Sequence, residues 1–230
     1  MEKTNLEIYR PFGPSIGRCI LPKELVNDFN NDCDDIVKNN KTKERDWSQY
    51  LVGNVKQELL ISPKTFTKWS KFFEEVISKY FRYHLVGENL KRLRYKSGWY
   101  VRQFAGDFNP SHFHGDCHLS CVGYLKLPDG IEEEWKNEDK YHPDKHHHPS
   151  SGYIEMTYGQ THQFSENVLK MRPTVGDYYL FPWWMYHCVY PFRSKGERRS
   201  FSFNVYGDTE VSAEAKARKQ EKDIKSRLII

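Results

Sequence analysis

No run in this 230-residue sequence approaches the ~18 consecutive apolar residues that a membrane-spanning helix needs, so no membrane partner is expected. Cysteine is scarce. The five (Cys19, Cys33, Cys117, Cys121 and Cys188) are odd in number, irregularly spaced and without a C-x-x-C pair. They read as reduced thiols in a cytosolic protein, not as a disulfide framework. The first residues, MEKTNLEIYR, lack the charged, then apolar, then small order of a secretory signal. Charge of one sign is also lacking: 35 Lys and Arg against 31 Asp and Glu leave a net of +4. Residues 129–150 hold seven acids and three bases, so the remainder is mildly basic, yet no continuous basic stripe appears. Nucleic acid is therefore not the favoured partner.

What the sequence has in quantity is aromatic side chains, 15% of the total, and histidine. The aromatics supply enough buriable surface to exclude disorder for most of the chain. The ten His are clustered, three of them in 112–118 and four in 142–148.

The sequence divides into a helical front and a strand-rich back. Apolar residues at Leu25, Val26, Phe29, Cys33, Ile36 and Val37 predict a helix over 23–40, with Pro22 suited to its start. Ser62-Pro63 opens a second helix with the stripe Phe66, Trp69, Phe73, Val76, Ile77 and Tyr80. From residue 89 short strands follow: 92–96, 99–105, 110–114, 119–127, 152–158, 167–171, 177–182, 186–191 and 198–206, bounded by Gly, Pro, Asp and Asn turns. Many short strands without intervening helices indicate an antiparallel sandwich or barrel. One domain over 1–207 is expected, with a helical front at 1–88 and a β core at 89–207. Residues 129–150 read as a polar insertion loop, and 208–230 as a charged, solvated tail.

The densest chemical signal is Asn109-Pro110-Ser111-His112-Phe113-His114-Gly115-Asp116-Cys117-His118. On a strand, residues two apart share a face, so His114 can align with Asp116 or with His112. A His and a carboxylate two apart form the front half of a facial triad for non-heme Fe(II). His187, within Phe181-Pro182-Trp183-Trp184-Met185-Tyr186-His187, is the natural third ligand. Eleven residues later, alternation in 198–205 puts Arg198, Ser200, Ser202 and Asn204 on one face and Phe201, Phe203 and Val205 on the other. This is either an edge strand with its polar side in water, or a barrel interior where Arg198 and Ser200 bind a ligand carboxylate.

H-x-[D/E], then His, then R-x-S, in this order and at these spacings, resembles the Fe(II)/2-oxoglutarate-dependent dioxygenases. The flanks Gly106-Asp107-Phe108-Asn109-Pro110, Leu119-Ser120, Tyr124-Leu125, Gly176-Asp177 and Pro11 to Gly17 resemble a bacterial and phage branch related to prolyl hydroxylases. So does Leu51 to Gln57. The resemblance implies a mainly β fold with N-terminal helices: a double-stranded β-helix (jelly roll, cupin-like) packed against two helices. It implies Fe(II), 2-oxoglutarate as cosubstrate and O₂, with metal on His114, Asp116 and His187. The far carboxylate of 2-oxoglutarate would sit on Arg198 and Ser200, with Tyr124 adding a bond. It implies hydroxylation or demethylation coupled to decarboxylation of 2-oxoglutarate to succinate. The setting would be the cytoplasm of a bacterium or phage-infected host. In that branch the motif often reads H-x-H, which makes His112 the alternative to Asp116. Chemistry favours Asp116, because a carboxylate stabilises Fe(II). The primary substrate is open, with a peptide or small metabolite favoured. Two other readings share the fold: a degenerate binding protein, and a cupin-type metal dioxygenase that does not use 2-oxoglutarate. The latter has no need of an inward Arg198.

Overall fold

The computed structural model describes residues 6–9, 13–85, 88–141, 150–164, 166–211 and 216–217. Strands Glu7–Tyr9 (β1) and Ile16–Ile20 (β2) lead into helix Lys23–Lys38 (α1). A short helix Thr42–Arg45 (α2), a 3-10 turn Ser48–Tyr50 and strand Gln57–Leu60 (β3) precede the long helix Pro63–His84 (α3). Strands Glu88–Gln103 (β4), Asn109–His112 (β5) and Leu119–Lys126 (β6) follow, then helix Ile131–Tyr141 (α4). Then come Ile154–Thr157 (β7), Val168–Met171 (β8), Asp177–Pro182 (β9), Tyr186–Val189 (β10) and Arg198–Val211 (β11).

The strands form two antiparallel sheets. A seven-stranded sheet runs β1-β2-β9-β6-β11-β4-β3, and a four-stranded sheet runs β5-β10-β7-β8. This is the expected fold class: a double-stranded β-helix carrying two principal helices on one face.

Helices α1 and α3 cover the outer face of the larger sheet because each carries one apolar stripe. Leu25, Phe29, Cys33 and Ile36 from α1, and Phe73, Val76 and Ile77 from α3, are buried against Tyr100, Tyr178, Phe201 and Phe203. Each such side chain stabilises the fold by roughly 1.5–3 kcal/mol through removal from water. Between the sheets lies a second core of Ile16, Val122, Tyr124, Ile154, Met156, Phe181 and Met185. Strand β11 is central, between β6 and β4, so the edge-strand reading of its sequence is excluded. Its Phe face packs on the helices, and its polar face turns to the space between the sheets.

Gly123 on β6 makes that aromatic packing possible. A Cβ at this position would lie 2.2 Å from Phe201 Cε1 and 2.5 Å from its Cζ. Phe201 cannot yield, since it is fully buried and wedged among Phe29, Phe73, Tyr178 and Phe203. Gly123→Ala should therefore lower stability by about 2–3 kcal/mol in urea unfolding, the usual scale of overpacking.

Two sequence expectations are corrected here. Residues 129–150 are not simply a polar loop, because Ile131–Tyr141 is helical. The i, i+4 pair Ile131 and Trp135 is buried with Tyr153 and Phe192, and Trp135 Nε1 donates to Ser151 O at 2.8 Å. Glu132, Glu133 and Glu134 in the first turn suit the positive end of the helix dipole. The His142 and His146–His148 tract lies outside the described residues. The core also does not stop at residue 207. β11 continues to Val211, paired with the start of β4, and Asp208 accepts from Arg94 at 2.8 Å and Arg92 at 3.1 Å. Most of the tail beyond Val211 is likewise outside the described residues.

A buried ion cluster ties α1 to the sheet. Glu197 accepts from Arg199 Nε at 2.8 Å and Arg102 Nε at 2.7 Å, and Arg199 also donates to Asp34 at 2.7 Å and Asn30 Oδ1 at 3.0 Å. Burial raises the Glu197 pKa, but the two guanidinium groups outweigh it and bring it down to about 2. The folded-state pKa is below the ordinary 4.5, so the stabilisation is complete above about pH 4.5 and lost as pH falls through about 2. Stability in urea unfolding should fall across that window by on the order of 2–3 kcal/mol from this group, and that part of the fall should be absent in Glu197→Gln.

Candidate functional site

A cavity of about 570 Å³ opens between the two sheets, and His112, His114, His187, Arg198, Ser200, Ser202 and Asn204 all line it. Three elements bring the histidines together. His112 ends β5, an edge strand that tolerates Pro110, and His187 sits directly opposite it in β10. His114 follows two residues on, held by its backbone N–H to Trp183 O at 2.9 Å. The ligand-capable nitrogens of the three lie within 4.8 Å of one another, with His114 Nε2 and His187 Nε2 at 3.3 Å.

The backbone sets the imidazole tautomers. His112 Nδ1 donates to Pro110 O at 2.7 Å and His187 Nδ1 donates to Met185 O at 2.8 Å. In the neutral rings, both Nε2 lone pairs are therefore free to face the cluster. Burial keeps the rings neutral. It lowers the pKa of His112, brings that of His114 down to about 4 with help from His112, and holds His187 well below the usual range. Three neutral imidazoles converging on one point, with no anion among them, suit a soft to borderline divalent cation.

Asp116 is not brought to this point. The strand alternation that would align it with His114 ends at His112. Asp116 takes a left-handed conformation, φ +50°, and its side chain is 87% exposed, 3.7 Å from Lys96 Nζ. The break in alternation carries the Asp116 carboxylate away from His114 and His187, while His112 stays beside them.

The other half of the cavity is cationic. Arg198 is 1% exposed, and it donates Nε to Gly152 O at 3.2 Å and Nη1 to Gln103 Oε1. Its Nη2 is buried without a partner. No carboxylate pairs with it among the described residues. Burial lowers its pKa, with Tyr124 acting in the opposite direction. The guanidinium lies over the Tyr124 ring, 5.0 Å from the centroid, and the Tyr124 hydroxyl is also buried without a partner. The neighbouring Arg199 is equally buried yet fully paired with acids. One strand thus carries a satisfied arginine facing the helices and an unsatisfied one facing the cavity. A buried cation without an anion is costly, and an anionic ligand on Arg198 would remove that cost.

Ser200 lines the cavity beside Arg198 and stands in register with Tyr124. Trp99 lines it as well, its ring 6.3 Å from that of His114, whereas Trp183 and Trp184 do not. Sequence reasoning missed Gln103, Asn204 as a neighbour of His114, and Glu58. Gln103 is opposite Arg198 across the β4–β11 ladder, and that register is not written in either segment alone.

Known proteins share this architecture. Residues 97–204 match the family model described as "Putative 2OG-Fe(II) oxygenase". The matched segment runs from just before Trp99 through Asn204, and so contains all three histidines, Arg198 and Ser200. A prolyl-4-hydroxylase from Pseudomonas putida is similar over 89% of this chain and 93% of its own, at 14% identity and a TM-score of 0.55. The alpha-ketoglutarate-dependent carbocyclase SnoK of nogalamycin biosynthesis is similar over 89% and 83%, at 13% and 0.54. A Trichoplax adhaerens prolyl hydroxylase, solved with a hypoxia inducible factor peptide fragment, is similar over 89% and 84%, at 11% and 0.51. At these identities the likeness is one of fold. No curated protein matches. Residues 97–204 are thus similar to the 2OG-Fe(II) oxygenases, and the fold agrees with that similarity. That family uses Fe(II), 2-oxoglutarate and O₂.

Proposed function

We propose that the protein is an Fe(II)- and 2-oxoglutarate-dependent hydroxylase whose metal is held by His112, His114 and His187. The observation that carries this reading is one cavity with three convergent neutral imidazoles at one place and an unpaired buried arginine at another. Both features fit the implied groups: the nitrogens offer lone pairs to a divalent cation, and Arg198 lacks an anion.

When bound, Fe(II) with 2-oxoglutarate and O₂ supplies the oxidising power, consuming 2-oxoglutarate to succinate and CO₂. The chain's own residues bind and orient. Arg198, with Ser200 and the free Tyr124 hydroxyl, would take the far carboxylate of 2-oxoglutarate. Gln103 and Gly152 O fix the guanidinium fork from behind, so it is already oriented before the ligand arrives. Asn204 orients His114. Its Nδ2 is 3.5 Å from His114 Nδ1 while its Oδ1 is buried without a partner. With amide O and N exchanged, His114 Nδ1 would donate to Oδ1 and present Nε2 to the metal. Trp99, Val122, Ile154 and Phe181 line the remaining wall and keep water from the reaction.

The unpaired Arg198 favours this reading over a cupin-type dioxygenase without cosubstrate, and the intact cluster favours it over a degenerate binding protein. Among the described residues no helix is long and apolar enough to cross a membrane. We take the setting to be the cytoplasm and the primary substrate to be a peptide or small metabolite. The test is stoichiometry. With Fe(II) and 2-oxoglutarate, succinate measured by NMR should accumulate in step with O₂ consumed. O₂ uptake without succinate would contradict the proposal.

A further inference from the structure

We propose that Glu58 forms a cation subsite of the same cavity, so that the primary substrate presents a protonated amine or guanidinium to it. This rests on the cavity being the active site. Glu58 lines the cavity with His112, His114 and His187, and it is 1% exposed. Its Oε2 is buried and has no hydrogen-bond partner. Its main chain is fully used in the fold: the N–H reaches Ser48 Oγ at 3.3 Å and the carbonyl accepts from Trp47 N–H at 2.8 Å. The carboxyl group is left for something else.

The position on the sheet is informative. Glu58 on β3 is opposite Val101 on β4, which is opposite Ser200 on β11. Two strand spacings therefore separate Glu58 from Ser200, about 10 Å of sheet. A cosubstrate held at Arg198 and Ser200 would leave the Glu58 end for a second molecule. Gly53 keeps that end open, since a Cβ there would come within 2.8 Å of Glu58 Oε1.

The surroundings favour a cation over any other donor. Trp47 and Tyr50 line this end of the cavity, their ring centroids 4.2 Å apart. Aromatic faces beside a carboxylate form an environment suited to alkylammonium or guanidinium groups. The charged neighbour that acts on Glu58 is Asp46, an acid, while Lys96, which also lines the cavity, lies 3.7 Å from Asp116. Burial first and Asp46 second raise the Glu58 pKa to about 7. Among the described residues no cation is paired with Glu58, and a buried carboxyl group beside another acid is a standing cost to the fold. A cationic substrate group would relieve it. The cavity is thus polarised along its length, with Arg198 calling for an anion at one end and Glu58 for a cation at the other.

The test uses the full chain loaded anaerobically with Fe(II) and 2-oxoglutarate, titrated with four probes and followed by tryptophan fluorescence. The probes are acetylated tripeptide amides centred on lysine, norleucine or glutamate, and n-butylammonium. In the native protein the lysine peptide should bind at least tenfold more tightly than the norleucine peptide. Glu58→Gln should erase that difference without weakening the norleucine peptide. Butylammonium binding alongside the lysine peptide would mark a free amine as sufficient, and its failure beside a binding lysine peptide would mark a peptide substrate. Equal affinities, a preference for glutamate, a lysine preference that survives Glu58→Gln, or no saturable binding by any probe would overturn the proposal. The visible Fe(II)–2-oxoglutarate band of the starting sample reports separately on the oxygenase reading. If it is absent, the same titrations on the metal-free protein still judge Glu58.

Discussion

Arg198→Met should weaken 2-oxoglutarate binding by about 10²–10³-fold, on the scale of losing one partner of a buried charge-assisted pair. The same substitution should leave the cosubstrate-free protein as stable as before, or more so. In the ligand-free fold Arg198 is a buried cation whose Nη2 has no partner, and methionine replaces it without stranding an anion. Arg199→Met should do the reverse. It leaves Glu197 with Arg102 and strips Asp34 of its arginine, so stability should fall by about 3–5 kcal/mol. Cosubstrate affinity of the remaining folded protein should change little. Isothermal calorimetry for binding and urea melts for stability separate the two. Two adjacent arginines with opposite outcomes would be hard to obtain unless one belongs to a ligand and the other to the fold.

The second large effect concerns the metal. His112→Ala should lower Fe(II) or Co(II) affinity at least 100-fold in anaerobic calorimetry, and His114→Ala or His187→Ala should do the same. Asp116→Ala should leave it within about twofold. The reason is geometric: His112, His114 and His187 converge, while Asp116 turns outward beside Lys96. A set of three neutral imidazoles places no negative charge on the ion, so the carboxylates of 2-oxoglutarate would be the first anions to reach it. Metal affinity should accordingly tighten when the cosubstrate is present. By linkage, cosubstrate affinity should rise by the same factor when metal is present.

The alternation in 198–205 placed Arg198 and Ser200 on one face and the phenylalanines on the other, and β11 keeps that division over a central strand. The apolar stripes of α1 and α3 were legible for the same reason, because both packed faces are periodic in sequence. The H-x-H-x-D segment was legible only to the point where its strand ends. Its continuation depends on a left-handed residue at Asp116, which periodicity cannot foresee in a residue that is not glycine. Helix α4 was hidden because, among its described side chains, only Ile131 and Trp135 face the core in an otherwise charged segment. Gln103 and Glu58 were hidden for a different reason. Their place at the cavity comes from cross-strand register between segments some 40 to 100 residues apart, which no local pattern encodes.

The most direct measurement is an anaerobic titration of 2-oxoglutarate into the Fe(II)-loaded protein, followed in the visible range. Chelation of the keto acid at a three-histidine iron site, with Arg198 holding the far carboxylate, predicts a weak charge-transfer band that saturates at one equivalent. It should be lost in His112→Ala, persist in Asp116→Ala and need far more 2-oxoglutarate in Arg198→Met. The absence of any band in the native protein, or a band lost in Asp116→Ala and retained in His112→Ala, would contradict the account.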